Sequence, residues 1–175
     1  MRDGSEDEYV DYVTARLPAL RRLAYILAGD EHRADDLVQQ TITTLYVKWQ
    51  RAQAVDHLDA YVRTMLVRTF VDERRLAWAR VRLFRETPEL APRAGDGGVE
   101  DRQVVRAALA RVPRRQQAVL VLRFFYDLPV DEVAGILGCS SGTVKSQTSR
   151  GLATLRRLLG ERELAGFSTQ GLRSR

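Results

Sequence analysis

The sequence predicts an all-α protein of two small helical domains joined by a flexible linker. Three observations carry that expectation. Apolar residues recur at three- and four-residue steps through most of the chain, the period of a helix with one buried face. No alternating apolar and polar run is long enough for a sheet strand. The stretch 86–101, ETPELAPRAGDGGVED, holds two prolines, three glycines and five acids with no helical period, so it reads as an acidic linker. The expected divisions are a first domain over 5–85, the linker over 86–101, a second domain over 102–160 and a mobile tail over 161–175.

The first helix is expected to start at Ser5–Glu8, an S-x-x-E capping-box pattern. Tyr9, Tyr12, Val13, Leu17, Leu20, Leu23, Ala24 and Leu27 carry its apolar period, and Gly29 closes it. Pro18 either kinks this helix or opens a second one. Asp30 can cap the next helix, whose expected buried stripe is Ala34, Leu37, Val38, Ile42, Leu45, Tyr46 and Trp49. Its opposite face runs Asp30, Glu31, Asp35, Asp36, Gln39, Gln40 and Thr41. Acids near a helix N-terminus suit the helix dipole, and an acidic face equally suits a partner surface, so both readings stand at this point.

Asp56 can cap a third long helix with Leu58, Tyr61, Val62, Met65, Leu66, Thr69 and Phe70 facing inward. From Arg63 to Arg85 the chain then carries seven arginines against two acids, with Val67, Phe70, Trp78 and Phe84 interleaved. Arginines among aromatics suit a surface that grips a nucleic-acid backbone and stacks on unpaired bases. A solvated helix with Trp78 plugging the core is the plainer account.

Beyond the linker, Val104, Val105, Ala108 and Leu109 mark a short helix, and Pro113 can open another whose buried face is Ala118, Val119, Leu122, Phe125 and Tyr126. Residues 129–159 read as a helix-turn-helix. Val133, Ala134 and Leu137 give the first helix its apolar face, Gly138 permits a left-handed stop, and Ser140 can cap the second. That second helix repeats Val144, Leu152, Leu155 and Leu159 on one side. On the other it shows Thr143, Lys145, Ser146, Gln147, Ser149 and Arg150, with no acid from 143 to 157. Short hydroxyl, amide and cationic groups of this kind reach base edges and phosphates in a major groove. A helical hairpin with a solvated polar face is the competing account.

Composition narrows the function classes. The formal net charge is +5 over 175 residues, and of 28 basic residues only Lys48 and Lys145 are lysines. That favours a polyanionic partner and supplies guanidinium forks suited to phosphate and guanine. Cys139 is the single cysteine, so no internal disulfide forms, and His32 and His57 are the only histidines, so zinc-type spacing is missing. No catalytic constellation can be assembled, and neither a cofactor nor a metal is expected. The acidic N-terminus lacks a signal-peptide pattern, and no apolar run approaches the ~20 residues of a membrane helix. A cytoplasmic, non-enzymatic protein without membrane insertion is expected.

Four stretches together resemble the bacterial extracytoplasmic-function (ECF) sigma factors, group IV of the sigma-70 family: GDEHRADDLVQQTITTLYVKW, AYVRTMLVRTFVDERRLAWAR, LARVPRRQQAVLVLRFFYDLPVDEVAGILG and CSSGTVKSQTSRGLATLRRL. They lie within residues 5–159. The resemblance implies a sigma region 2-like helical bundle followed by a sigma region 4-like helix-turn-helix domain, and a function in promoter recognition, DNA melting and transcription initiation. It implies that Asp35, Asp36, Gln39, Gln40 and Thr41 meet the clamp coiled coil of core bacterial RNA polymerase. By the same resemblance Arg63, Arg68, Asp72, Arg74 and Arg75 engage the melted −10 region, with Arg80 and Arg82 as backbone contacts just beyond. Thr143, Lys145, Ser146, Ser149 and Arg150 fall on the −35 recognition helix. Core polymerase and promoter DNA are thus the implied partners, and an anti-sigma protein is a partner the resemblance allows. Two positions depart from the family pattern. Arg68 stands where many members have Asn, and Pro129 stands where the helix usually has a Ser or Thr cap.

Two other functions fit parts of the chain. A dimeric helix-turn-helix regulator would bind duplex DNA without polymerase, but its first domain should offer a ligand pocket. An adaptor with a basic face would have no need of the small polar residues at 143–149.

Overall fold

A computed structural model describes the backbone of residues 3–81 and 99–160 and the side chains of residues 4–73 and 102–160. Among the described residues there are eight α-helices, one π-helical turn and no strand. The chain divides into two compact units, Met1–Phe70 and Val71–Arg175. The division falls inside the fourth helix, just after the buried Phe70. The expected tail at 161–175 and residues 82–98 lie outside the described residues. The last three positions of the stretch read as linker are helical, because Val99–Ala110 forms one helix. Glu100 and Asp101 stand in the first turn of that helix.

In the first unit, α1 spans Asp3–Ala28 as one helix with Pro18 inside it. The helix starts two residues ahead of Ser5, so S-x-x-E is not a cap here; Glu6, Asp7 and Glu8 lie within its opening turns instead. Pro18 removes the N–H that would serve the Thr14 carbonyl. Both residues are exposed, so water can take that bond and the helix continues. Gly29, at φ 73°, ends α1.

The second helix, α2 (Glu31–Val47), is capped as expected, with the Asp30 carboxylate accepting the Arg33 N–H at 2.9 Å. It runs antiparallel to α1. The Tyr9 hydroxyl donates to the Ile42 carbonyl at 2.7 Å, and the Tyr46 hydroxyl donates to Glu6 at 3.0 Å. Tyr46, expected in the core, is 50% exposed and stacks its edge on Tyr9 instead. The short α3 (Trp49–Ala52) buries Trp49, whose ring meets Tyr9 and Tyr12.

The long α4 (Leu58–Val81) starts with the His57 carbonyl accepting the Tyr61 N–H, so His57 stands where Asp56 was expected. Val62, Leu66, Val67 and Phe70 form its buried face, as Leu20, Leu23 and Leu27 do for α1 and Leu37 and Leu45 for α2. Each such side chain contributes roughly 1.5–3 kcal/mol of burial. The Asp59 carboxylate accepts from both Tyr12 and Arg16 at 2.9 Å, tying α4 to α1.

In the second unit, α5 (Val99–Ala110), α6 (Arg114–Leu120), α7 (Val130–Leu137) and α8 (Ser141–Leu159) surround one core. Ala108, Val112, Leu120, Leu155 and Leu159 pack together in it. Pro113 sits at the cap of α6 rather than at its first helical position, and its carbonyl accepts the Gln117 N–H at 2.9 Å. A π-helical turn, Val121–Phe125, follows α6, and the Tyr126 N–H reaches back five residues to the Val121 carbonyl at 3.1 Å. The wider turn alters the angle at which later side chains leave the axis. Phe125, expected inside, is 38% exposed, and Phe124 is 40% exposed. Val104 also points outward, at 45% exposure.

Helices α6 and α8 cross at Gly151. A Cβ there would lie 3.0 Å from Leu120 Cδ1 and 3.3 Å from the Gln116 Cβ. Gly151→Leu is therefore expected to destabilise the protein by about 2 kcal/mol, overpacking outweighing the gain in helix propensity. Thermal unfolding followed by circular dichroism measures this; an unchanged melting temperature would show that the crossing is looser than described.

Candidate nucleic-acid and partner interfaces

The helix-turn-helix is set by local chemistry. Pro129 stands at the α7 cap without a side-chain hydrogen bond, and its carbonyl accepts the Val133 N–H at 3.1 Å. Gly138 adopts φ 61°, ψ 45°, a conformation that disfavours any Cβ, and the Cys139 N–H closes back on the Ala134 carbonyl at 3.0 Å. Ser140 caps α8 by accepting the Thr143 N–H at 3.1 Å. Ser141, the first residue of α8, donates its hydroxyl to the Asp131 carboxylate in the first turn of α7.

Val144, Gly151 and Leu155 face the core, which fixes the direction of every other α8 side chain. At about 100° per residue, Gly142, Ser146, Ser149 and Ala153 occupy the middle of the exposed face. Lys145 and Arg156 form one edge of that face, and Arg150 and Arg157 the other. Lys145, Ser146, Ser149 and Arg150 are all exposed. Thr143 differs: it is half-buried, and its hydroxyl lies 2.9 Å from Ser140 Oγ, engaged in closing the helix start. Arg156 and Arg157 were missed from sequence, although they continue the two cationic edges at helical spacing. A floor of small residues between cationic edges allows close approach to base edges while the edges meet phosphates.

On α4, Arg68 and Asp72 are exposed and share a face four residues apart. Arg63 stands apart from them. It is half-buried, lies about 140° around the helix from Arg68, and lines a shallow cleft with Tyr12, Arg16, His57 and Asp59. Burial, and then the hydrogen bond to Asp59, push the Tyr12 phenol well above its ordinary pKa, so it remains a donor in this cleft. Arg74, Arg75 and Arg80 fall on the described backbone of α4, but their side chains lie outside the described residues, as does all of Arg82.

The acidic face of α2 resolves into distinct environments. Glu31 occupies the first turn, where the dipole accounts for it. Asp35 and Asp36 come a turn later, where the dipole's effect has fallen off. Asp35 pairs with Arg21 at 2.9 Å on the surface. Asp36 has no ion pair among the described residues and forms an exposed patch with Gln39 and Gln40. Thr41 does not belong to that patch. It has no exposed surface, and its hydroxyl donates to the Leu37 carbonyl at 2.7 Å, so the expected partner contact at Thr41 is corrected to a core position.

Residues 102–155 match the family model described as Sigma-70, region 4, and residues 13–58 match that described as the Sigma2 domain of PhyR. The RNA polymerase sigma-E factor of Streptomyces coelicolor is 35% identical to this chain, covering 90% of it and 89% of its own length. The ECF RNA polymerase sigma factor EcfG of Rhodopseudomonas palustris is 31% identical, covering 87% and 86%. The sigma factor RpoE of Bartonella quintana, solved in complex with the anti-sigma factor NepR, aligns with a TM-score of 0.67 at 27% identity, over 87% of this chain and 96% of that one.

Proposed function

The chain belongs to the ECF RNA polymerase sigma factors, and on that premise we propose how its residues divide the work of bringing core polymerase to a promoter. The protein is an RNA polymerase sigma factor that binds core bacterial RNA polymerase and directs promoter recognition, DNA melting and transcription initiation. The single observation that carries this is 35% identity to a sigma-E factor across 90% of the chain. A dimeric regulator acting without polymerase would share the helix-turn-helix but not the first unit.

In this reading, residues 5–85 form the domain for the polymerase clamp and the −10 element, 86–101 the linker, and 102–160 the −35 domain. Lys145, Ser146, Ser149 and Arg150 contact −35 DNA, with Thr143 acting mainly through the helix cap. Arg68 and Asp72, followed along α4 by Arg74, Arg75, Arg80 and Arg82, meet the opened −10 strand. Arg63 contributes from the adjoining cleft. Asp35, Asp36, Gln39 and Gln40 meet the clamp.

Each site can bind weakly, because polymerase fixes their separation and raises the effective concentration of the second contact. An anti-sigma protein is a further partner, on the pattern of the NepR complex of B. quintana RpoE. Sigma factors are not an enzyme class, and this chain is assigned no catalysis of its own. No described helix is long and apolar enough to cross a membrane, and we place the protein in the cytoplasm, where its polymerase is.

Run-off transcription with core polymerase and a promoter-fragment library tests the reading. Discrete starts that need the chain are expected. Tight binding of the free chain to duplex DNA without any transcript would overturn it.

A further inference from the structure

We infer that Asp131 is a positioning residue for the recognition helix, acting through Ser141 to fix how α8 presents its reading face. The inference rests on the −35 role proposed for α8. Asp131 and Ser141 are the second residue of α7 and the first of α8. Their hydrogen bond therefore joins the N-termini of the two helices side by side. Each N-terminus carries unpaired N–H groups and roughly half a positive charge. Two such ends in contact repel, and a carboxylate between them offsets both.

At this end of α7 the residue that bridges to α8 is Asp131. Pro129 provides no side-chain cap, and Asp131 and Glu132 are the acids of the first turn. Glu132 is no substitute as the link, because the Ser141 hydroxyl goes to Asp131. At the start of α8 the remaining hydroxyls are engaged elsewhere, with Ser140 accepting the Thr143 N–H and lying against the Thr143 hydroxyl. The two bonds have different jobs. The Ser140 cap forms within α8 and would survive if α8 rotated, whereas the Asp131–Ser141 bond reports the position of α8 relative to α7.

The position matters because a recognition helix reads base edges chiefly with its N-terminal residues. Lys145 and Ser146 lie only one turn beyond Ser141, so a small swing at the pinned end moves them sideways across the groove. Asp131 thus gives the reading face of α8 a defined approach.

The test compares transcription by the full chain with core polymerase from its promoter and from the same promoter with a scrambled −35 element. Asp131→Ala is expected to lower the ratio of the two rates about tenfold. Ser141→Ala should do the same, and the double variant should lose no more than either alone. Asp131→Asn keeps the oxygen acceptor and should restore the ratio to within about twofold. Melting temperatures identify any variant that fails to fold, and Asp131→Asn supplies the readout if Asp131→Ala does fail. Unchanged ratios in folded Asp131→Ala and Ser141→Ala, or losses that multiply in the double variant, would overturn the inference. Failure of the underlying reading looks different: the unsubstituted chain would show no preference for the intact −35 element.

Discussion

Lys145→Ala combined with Arg150→Ala lowers initiation at the protein's own promoter by about 100-fold, on the expectation of roughly tenfold per lost base or phosphate contact. The two cations stand on opposite edges of the exposed α8 face, about 140° apart, so neither can replace the other. Neither side chain holds the fold together. Both are exposed, and the core face of α8 is built from Val144, Gly151 and Leu155. The melting temperature should therefore stay within about a degree or two, and affinity for core polymerase within twofold. Salt separates the roles. A residue that meets phosphate lowers the slope of log affinity against log salt by about one when removed, while a base contact changes sequence preference instead. Initiation that survives the double substitution would remove α8 from promoter recognition.

Asp36→Arg weakens binding to core polymerase by about 30-fold, the order expected when one charge of a desolvated interfacial pair is reversed. Its place in α2 separates partner binding from helix stability. The helix starts at Glu31, so Asp36 stands in the second turn, beyond the reach of the dipole. A surface substitution there should change the unfolding free energy by no more than about 0.5 kcal/mol. Asp35→Arg gives a mixed result, because it also sets a second guanidinium beside Arg21 and removes the ion pair with α1. Fluorescence anisotropy of labelled protein with core polymerase measures both. A folded Asp36→Arg variant with undiminished affinity would take the α2 face out of the clamp contact, and the acids would need another account.

What could be read in the sequence was mostly what short-range chemistry decides. Asp30 and Ser140 cap the helices expected of them, and Gly138 takes the left-handed turn, because each depends on residues three or four positions away. Thr41 was misread for an instructive reason. Its spacing from Leu37 and Leu45 already placed it on the buried face, but its polarity suggested the opposite. A threonine can satisfy its hydroxyl on the carbonyl four residues back, and this one does. Phe125 was beyond reach, since its direction depends on a π-helical turn that no residue pattern announces. Tyr46 has the helical spacing of a core residue but lies at the edge of α2, where it pairs with Glu6 and Tyr9. On α8, the exposure of Lys145, Ser146, Ser149 and Arg150 followed from helical spacing alone. The face of α4 did not, because placing Arg63 opposite Arg68 required knowing which side of that helix is buried.

The contact at Gly151 limits how promoter preference can be moved between proteins. With Leu120 and Gln116 lying against its backbone, α8 has no clearance to accept a foreign sequence independently of α6. A graft of the exposed α8 residues alone should transplant, since it leaves the crossing intact. A graft of the whole helix will keep its full stability only if the donor keeps glycine at this position or brings its own α6 with it. The exchangeable cassette for building chimaeric factors is thus the α6–α8 block, and the recognition helix is its visible surface rather than a separable reading head.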